Sequence, residues 1–231
     1  MESPDLSSFR TSSSVQRRAS FSLRSLFRNV CGMASKELHL SVMDQNTVRV
    51  YTQLFLIFQF PDCTQVDSAV KALANGLQNT LKNFPFLAGT LQLADSKSGK
   101  LSLKYLTETP EVLSSGLLKA KVLPQFPYTY EQLKRDGMPP SAITSEVFCP
   151  EELHNFSGIP YDGEGIVDFA KSEAPVMRVQ AYFIDGGLVL GIYTHHSVMD
   201  FSGMNKFWEH YAYNVRVLAV SSSSRNVIAS S

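Results

Sequence analysis

The sequence lacks several features that assign a chain to a class at first sight. Its 21 basic and 21 acidic residues cancel, so net charge gives no reason to expect nucleic acid or an acidic membrane as a partner. The three cysteines, Cys31, Cys63 and Cys149, lie far apart without CxxC spacing, which favours reduced thiols inside the cell over disulfides. No apolar run reaches the roughly 18 residues that span a bilayer. We therefore expect a cytoplasmic protein without nucleic-acid or membrane partners.

Common catalytic motifs are missing as well. The chain has no G-x-S-x-G nucleophile elbow, no G-x-G-x-x-G fingerprint and no P-loop, so neither a serine hydrolase nor a nucleotide-binding enzyme is indicated. His39, His154 and His210 show no ligand spacing, and we expect no metal site. The 44% hydrophobic and 11% aromatic content is that of an ordinary globular protein. The length fits one large domain or two small ones.

The first 36 residues differ in composition from the rest. Residues 1–35 hold five arginines and two acids, a net charge of +3 (5 − 2), so the remaining residues sum to −3. Their Ser-rich and Arg-rich composition cannot build a core and predicts a disordered basic leader over residues 1–36. A mitochondrial presequence is the alternative, because residues 9–28 combine Arg, Ser, Phe and Leu without acids. Glu2 and Asp5 argue against it.

Hydrophobic periodicity predicts two strands and a helix after the leader. Alternation over residues 38–42 predicts a short strand that ends at residues 43–45. The apolar and aromatic run over residues 48–60 predicts a mostly buried strand. Apolar residues then recur at spacings of three and four, which predicts an amphipathic helix over residues 65–83 with Thr64 as its N-cap.

Two hairpins are predicted further along the chain. Residues 87–93 and 100–106 flank a polar tip, and the second segment alternates cleanly. Residues 175–184 and 188–194 flank Asp185-Gly186-Gly187, a strong turn signal.

The segment between the two hairpins has weaker signals. Residues 107–150 are rich in proline and aromatics and predict extended loop with strand fragments and a short helix at residues 130–135. Four glycines and prolines, Gly158, Pro160, Gly163 and Gly165, predict a loop over residues 151–173.

The strongest chemical signal is a histidine pair at the end of the second hairpin. A β-forming run leads into His195 and His196, and Asp200 follows the second histidine by four residues. Asp200 can cap a following helix whose apolar face is Met204, Phe207, Trp208 and Tyr211. Imidazole moves protons near neutral pH, so His196 is a candidate general base. Neighbours in an extended segment point to opposite faces, which makes the two histidines poor joint metal ligands.

The role of Asp200 is open on spacing alone. Its carboxylate can bond Nδ1 of His196 and hold the tautomer, as in a catalytic triad. It can instead turn away and hold the loop through a salt bridge. A hydrogen-bonded structural histidine is the alternative for His196 itself.

The residues from His195 to Asp200 resemble the HHxxxD motif of CoA-dependent acyltransferases of the chloramphenicol acetyltransferase-like superfamily. The likeness is to BAHD-type members, and especially to the fungal trichothecene 3-O-acetyltransferase family of secondary metabolism. Three other stretches resemble the family in the same order: residues 40–45, residues 81–91 and residues 174–180.

The resemblance implies an α/β fold, the chloramphenicol acetyltransferase-like N-terminal half, with a mixed sheet and flanking helices. It implies acyl transfer from acyl-CoA, most simply acetyl-CoA, to a hydroxyl or amine of a small molecule, with no bound cofactor. His196 would be the base, and Asp200 would support the loop by pairing with an arginine. His195 would be an accessory residue beside the base. Phe201 stands where the family usually has glycine, so Gly203, two residues later, is a further accessory candidate.

The resemblance covers an acyltransferase N-terminal domain at residues 37–213, followed by an atypical Ser-rich tail at residues 214–231. Family members continue into a second domain that supplies the other wall of the active-site channel, so we expect this fold to be incomplete. The alternative is therefore a truncated, inactive half-domain that acts as a binding or regulatory partner or has no independent function. A half-domain exposes an apolar face, which predicts self-association.

Overall fold

Eight strands and five α-helices make up the part of the chain that the structure, a computed structural model, describes: residues 34–153, 168–170 and 172–228. The predictions for residues 1–33 and 154–167 lie outside the described residues. In chain order the elements are β1 (Ser35–His39), α1 (Val42–Asn46), β2 (Tyr51–Gln59), α2 (Val66–Leu81), β3 (Thr90–Asp95), β4 (Lys100–Leu106), β5 (Leu118–Val122), α3 (Tyr130–Arg135), α4 (Ser145–Phe148), β6 (Ala174–Pro175), β7 (Met177–Ile184), β8 (Gly187–His195) and α5 (Phe201–Ile228).

The strands form two four-stranded sheets. One has the order β1-β4-β3-β6 and is antiparallel throughout. The other has the order β2-β8-β7-β5 and is mixed, because β5 runs parallel to β7. Both predicted hairpins are present, as β3–β4 and β7–β8, and Gly186 takes the positive φ of 69° that the second turn requires.

The two sheets join at a single residue, Val176, between β6 and β7. Its N–H donates to the carbonyl of Gly89 at 3.0 Å, beside the first sheet. Its own carbonyl accepts the N–H of His195 at 2.9 Å, at the end of β8. The histidine pair therefore lies near the junction of the two sheets, and the bond from His195 to Val176 ties its backbone to that junction.

The strand predicted over residues 38–42 is displaced, which is a correction. β1 covers Ser35–His39, and Val42–Asn46 is helical. Ser41 and Asp44 form a reciprocal capping box at the start of this helix. Gln45 then pairs with the backbone of Leu101, donating to its carbonyl at 2.8 Å and accepting its N–H at 2.9 Å. This contact across 56 positions lets Gln45 act like one more residue of the sheet.

The predicted N-cap at Thr64 is wrong. Residues Cys63–Gln65 form a 3₁₀ turn, and the Asp62 carboxylate accepts the Thr64 N–H at 3.0 Å. α2 therefore begins at Val66, one residue beyond the start that a Thr64 cap requires, and Gln65 takes the N-cap position. The predicted apolar stripe is otherwise correct, since Leu77 and Leu81 are fully buried in the core.

α5 packs lengthwise on α2. The Tyr211 hydroxyl donates to the carbonyl of Leu73 at 3.1 Å, and the Asn214 amide donates to the Thr80 hydroxyl at 3.0 Å. The helix continues to Ile228, so its backbone is regular through the Ser-rich segment predicted as a tail. In the described part of the chain, no helix combines the length and apolarity that crossing a bilayer requires.

Gly76 sets how closely α2 and α5 approach. A Cβ added there would lie 2.3 Å from Cγ2 of Val215 and 2.9 Å from the Val215 backbone nitrogen. Alanine favours a helix over glycine by about 1 kcal/mol, but overpacking costs about 1–3 kcal/mol. We expect Gly76→Ala to lower the free energy of unfolding by about 1–2 kcal/mol in urea denaturation. Asn75→Ala, on the exposed face of the same helix, is the control and should not destabilise; equal gains in both variants would contradict close packing.

Candidate active site

Strand pairing brings the histidine pair to the end of β8 between two neighbours. His195 lies opposite Tyr51 in the β2–β8 register. The N–H of His195 bonds the carbonyl of Val176 on the β7 side, at 2.9 Å. The N–H of His196 bonds the carbonyl of Val50 on the β2 side, also at 2.9 Å. The backbone of both residues is thus held from opposite sides, and His195 is fully buried while His196 is half-buried.

His195 is held as a neutral side chain. Its Nδ1 accepts the N–H of Ser197 at 3.2 Å, which leaves the proton on Nε2. The edges of Tyr51 and Phe169 meet its ring, each with a centroid distance of 5.4 Å. Burial lowers the pKa of His195 to about 3, and the nearby charge of Arg49 acts in the same direction. His195 therefore stays uncharged at neutral pH and braces the turn through Ser197.

His196 is the more accessible of the two imidazoles. Its Nδ1 is buried and has no hydrogen-bond partner, while part of the side chain remains exposed. Because Nδ1 has no partner, the Asp200 carboxylate does not bond it. The geometry therefore does not support the triad arrangement of Asp200 and His196.

Asp200 instead caps α5, as its sequence position predicts. Its Oδ1 accepts the N–H of Gly203 at 2.8 Å, and its carbonyl accepts the N–H of Met204 at 2.9 Å. Asp200 forms no ion pair with any cationic side chain of the described residues, so the arginine partner implied by the resemblance is not found there. The carboxylate stabilises the turn that follows His196 by joining it to the helix.

Gly203 and Phe201 occupy different environments in the first turn of α5. A Cβ at Gly203 would lie 2.6 Å from Cγ of the buried Met199, so glycine permits close packing under the turn. Phe201, in the family's usual glycine position, is 66% exposed and does not fill the interior. The close packing in this turn therefore depends on Gly203, two residues after the position where the family usually has glycine.

Two site residues escaped prediction from the sequence. Arg49 donates to the carbonyl of Gly99 at 2.5 Å and lies 5.9 Å from the centroid of the Phe169 ring. The Tyr51 hydroxyl donates to the carbonyl of Pro175, and burial raises the pKa of this phenol. Both residues stand in a run that the sequence predicts only as a buried strand. The register of β2 against β8 places Tyr51 opposite His195, and Arg49 lies just before β2, near enough for its charge to act on His195.

The described residues hold no cluster of metal ligands. Nowhere in residues 34–153, 168–170 and 172–228 do three His, Cys, Asp or Glu side chains gather in a way that could hold a metal ion.

Comparison with known proteins gives the family. The family model described as the trichothecene 3-O-acetyltransferase-like N-terminal domain matches residues 50–212, well over half of the chain. The chain belongs to this family. The match includes β2, which contacts the motif, and the first part of α5, and so contains every site residue described above except Arg49.

Curated relatives of the trichothecene 3-O-acetyltransferase-like family are all longer. An O-acetyltransferase of Cryptosporiopsis sp. is 28% identical over 172 residues, covering 73% of this chain and 34% of the relative. The trichothecene 3-O-acetyltransferase of Saccharomyces cerevisiae is 26% identical, covering 76% and 35%. That of Fusarium sporotrichioides is also 26% identical, covering 74% and 36%. The chain thus spans about a third of the length of the relatives it matches.

Solved structures agree on the fold. TRI101 of F. sporotrichioides, complexed with coenzyme A and T-2, has a TM-score of 0.61 at 23% identity, covering 78% of this chain and 41% of that one. Apo TRI101 of F. graminearum has a TM-score of 0.62 at 22% identity, covering 79% and 40%. The expected fold class, an α/β chloramphenicol acetyltransferase-like N-terminal half with a mixed sheet and flanking helices, is confirmed, and its strands are divided between one mixed and one antiparallel sheet.

Proposed function

We propose that this chain provides the general base for acyl transfer from an acyl-CoA, most simply acetyl-CoA, to a hydroxyl or amine of a small molecule. The curated relatives are acetyltransferases, and structures of Fusarium TRI101 contain coenzyme A with T-2 or deoxynivalenol. A fungal secondary metabolite with a free hydroxyl is the acceptor class that these relatives suggest. We place the reaction in the cytoplasm.

The observation that supports the proposal is the partial exposure of the His196 side chain and the absence of a partner at its Nδ1 among the described residues. His196 is the motif's only partly exposed imidazole, and no carboxylate bonds its Nδ1. His195 is buried and already accepts a backbone N–H, and Asp200 already caps a helix. In this proposal, His196 receives the proton of an acceptor that approaches the end of β8.

The chemistry follows from a neutral imidazole at that position. His196 takes the proton of the acceptor hydroxyl while its oxygen attacks the thioester carbonyl carbon, which forms a C–O bond and a tetrahedral oxyanion. The oxyanion collapses and breaks the C–S bond. The proton on His196 then passes to the departing CoA sulfur, so that ester and free CoA thiol are formed and the imidazole is neutral again.

The neighbouring residues act through the backbone. The bond between Gly203 and Asp200 joins the turn after His196 to α5. The bond from the Ser197 N–H to His195 Nδ1 fixes the start of the same turn. Gly203 also leaves room for Met199 beneath the turn. In this proposal these residues position the base and do not touch substrate.

An inactive half-domain that binds a partner is the second candidate. The observation that favours it is the coverage of only 34–36% of the first relatives, since a general base contributes most inside a closed channel. Such a chain would bind partners or associate with itself without releasing CoA.

The assay that separates the two candidates follows release of free CoA thiol from acetyl-CoA, with trichothecene and simple alcohols as acceptors. Substrate-dependent release by the 231-residue chain supports the enzyme. Acceptor-independent background alone supports the half-domain.

The same assay tests the role of Asp200. Asparagine keeps an oxygen for the Gly203 N–H, so we expect Asp200→Asn to stay within about tenfold of wild type in kcat/KM. Asp200→Ala removes the cap and should cost about 1 kcal/mol of stability as well as activity. If Asp200→Asn is as inactive as a His196 variant, Asp200 acts on the imidazole and the proposed division of roles is wrong.

A further inference from the structure

β2 is an edge strand with an unusual composition for an exposed edge. In the described sheets it pairs only with β8, in a continuous register from Tyr51 to Gln59 without a bulge. Its nine residues, YTQLFLIFQ, contain no charge and no proline. Natural edge strands are normally protected by charges, prolines, bulges or short length, because an open edge pairs readily with other chains.

The other described edges carry these protections. β5 displays Lys119 and Lys121, both exposed, along its short length. β1 carries Lys36 and Glu37, and all its residues are exposed. β6 has only two residues. Of the four described edge strands, β2 is thus long and uncharged, whereas β1, β5 and β6 are short or charged.

The hydrogen-bond pattern shows which groups of β2 face outward. Val50 and Phe60, which flank β2, bond through their backbones to His196 and Gly186, which flank β8. Antiparallel pairs bond at every second residue, so the even-numbered residues of β2 face β8. The N–H and C=O groups of Gln53, Phe55 and Ile57 therefore point away from β8, toward the open edge.

We infer that β2 is an association edge, and that its occupant is β2 of a second copy of this chain, paired antiparallel about a two-fold axis at Phe55. This register sets Gln53 opposite Ile57 of the second copy, so that outward groups meet outward groups on both strands. It sets Leu54 opposite Leu56, which matches apolar side chains on one face.

Charge favours this occupant over other pairings of the same chain. β2 carries no charged residue, so the two-fold axis brings no like charges together. Pairing two β5 strands would instead bring Lys119 and Lys121 near the same lysines of the second copy. The inference is independent of the proposed function, because it concerns association and not turnover.

The test compares Gln53→Pro with Gln53→Ala in the full chain. Both lose the hydrogen bond from the Ser145 hydroxyl to the Gln53 side chain, at 2.8 Å in the native protein. Only proline removes the outward N–H and blocks a facing strand, and it leaves the bonds to β8 intact. By sedimentation equilibrium we expect wild type and Gln53→Ala to dimerise alike, and Gln53→Pro to dimerise about tenfold more weakly or not at all.

Amide exchange of the unaltered protein, measured by NMR, tests the same edge without any substitution. The Phe55 and Ile57 amides should gain protection as concentration rises, while those of Leu54 and Leu56 are protected throughout. A monomer at all concentrations overturns the inference. So does a dimer that the proline variant leaves unchanged, or outward amides whose protection ignores concentration, which would mean that another segment covers the edge.

Discussion

Replacing His196 by alanine is expected to lower kcat/KM for acyl transfer by about 10²–10⁴-fold, the usual contribution of a positioned general base. The imidazole lies at the end of β8 with part of its surface exposed, and alanine leaves no group there to take the acceptor's proton. Release of CoA thiol from acetyl-CoA in the presence of an acceptor is the measurement. The loss should fall on kcat more than on KM, because proton transfer occurs in the transition state.

His39→Ala is the matched control for this variant. His39 is an exposed histidine on β1 and pairs with Ser102 of β4. It is therefore a histidine like His196 but lies in the sheet that does not contain β8. It should keep wild-type turnover. Undiminished turnover in His196→Ala would remove His196 from the mechanism, whereas equal losses in both variants would point to misfolding or to a different catalyst.

Acid should destabilise the protein through His195, and His195→Asn should remove that part of the sensitivity. Burial first, and then Arg49, lower the pKa of His195 to about 3 from 6.5. Between these values the unfolded chain binds a proton that the folded chain does not. The free energy of unfolding therefore falls with decreasing pH, by up to about 1.4 kcal/mol for each unit below pH 6.5.

The measurement is urea denaturation of both proteins at about pH 7 and about pH 4.5. Asparagine places an oxygen near the position of Nδ1 and can accept the Ser197 N–H, but it does not titrate. Hydrogen bonds from the Thr64 and Ser114 hydroxyls lower the pKa of Asp62 and Glu111, and these carboxylates add acid sensitivity to both proteins alike. The wild type should therefore lose more stability than His195→Asn; equal losses would contradict a neutral, buried His195.

The elements that were predicted well have local causes. The helix at Tyr130–Arg135 has the predicted limits, because Thr129 and Gln132 form a capping box within three residues. The hairpin of β7 and β8 depends on the turn at Asp185 and Gly186, and its strands differ from the predicted ones by one or two residues at their ends. Asp200 caps α5 through a bond to Gly203, three residues away.

The elements that were missed depend on distant residues. The helix at Val42–Asn46 has a local signal in the Ser41–Asp44 capping box, but its position against the sheet is fixed by the pairing of Gln45 with Leu101, 56 positions away. β5 lies in a loop-like stretch of sequence, and only its parallel pairing with β7, about 60 positions along the chain, defines it as a strand.

For the site, the sequence alone determined which residues are chemically competent: an imidazole at His196 and a capping carboxylate at Asp200, four residues apart. Only the tertiary structure decided how far each imidazole is exposed, because burial depends on strand register. That register buries His195 between Tyr51 and Phe169, leaves His196 partly exposed, and turns Asp200 toward the helix and away from Nδ1. Spacing specifies neighbours along the chain, whereas the burial of His195 depends on residues that only folding brings near, among them Tyr51, 144 positions away (195 − 51).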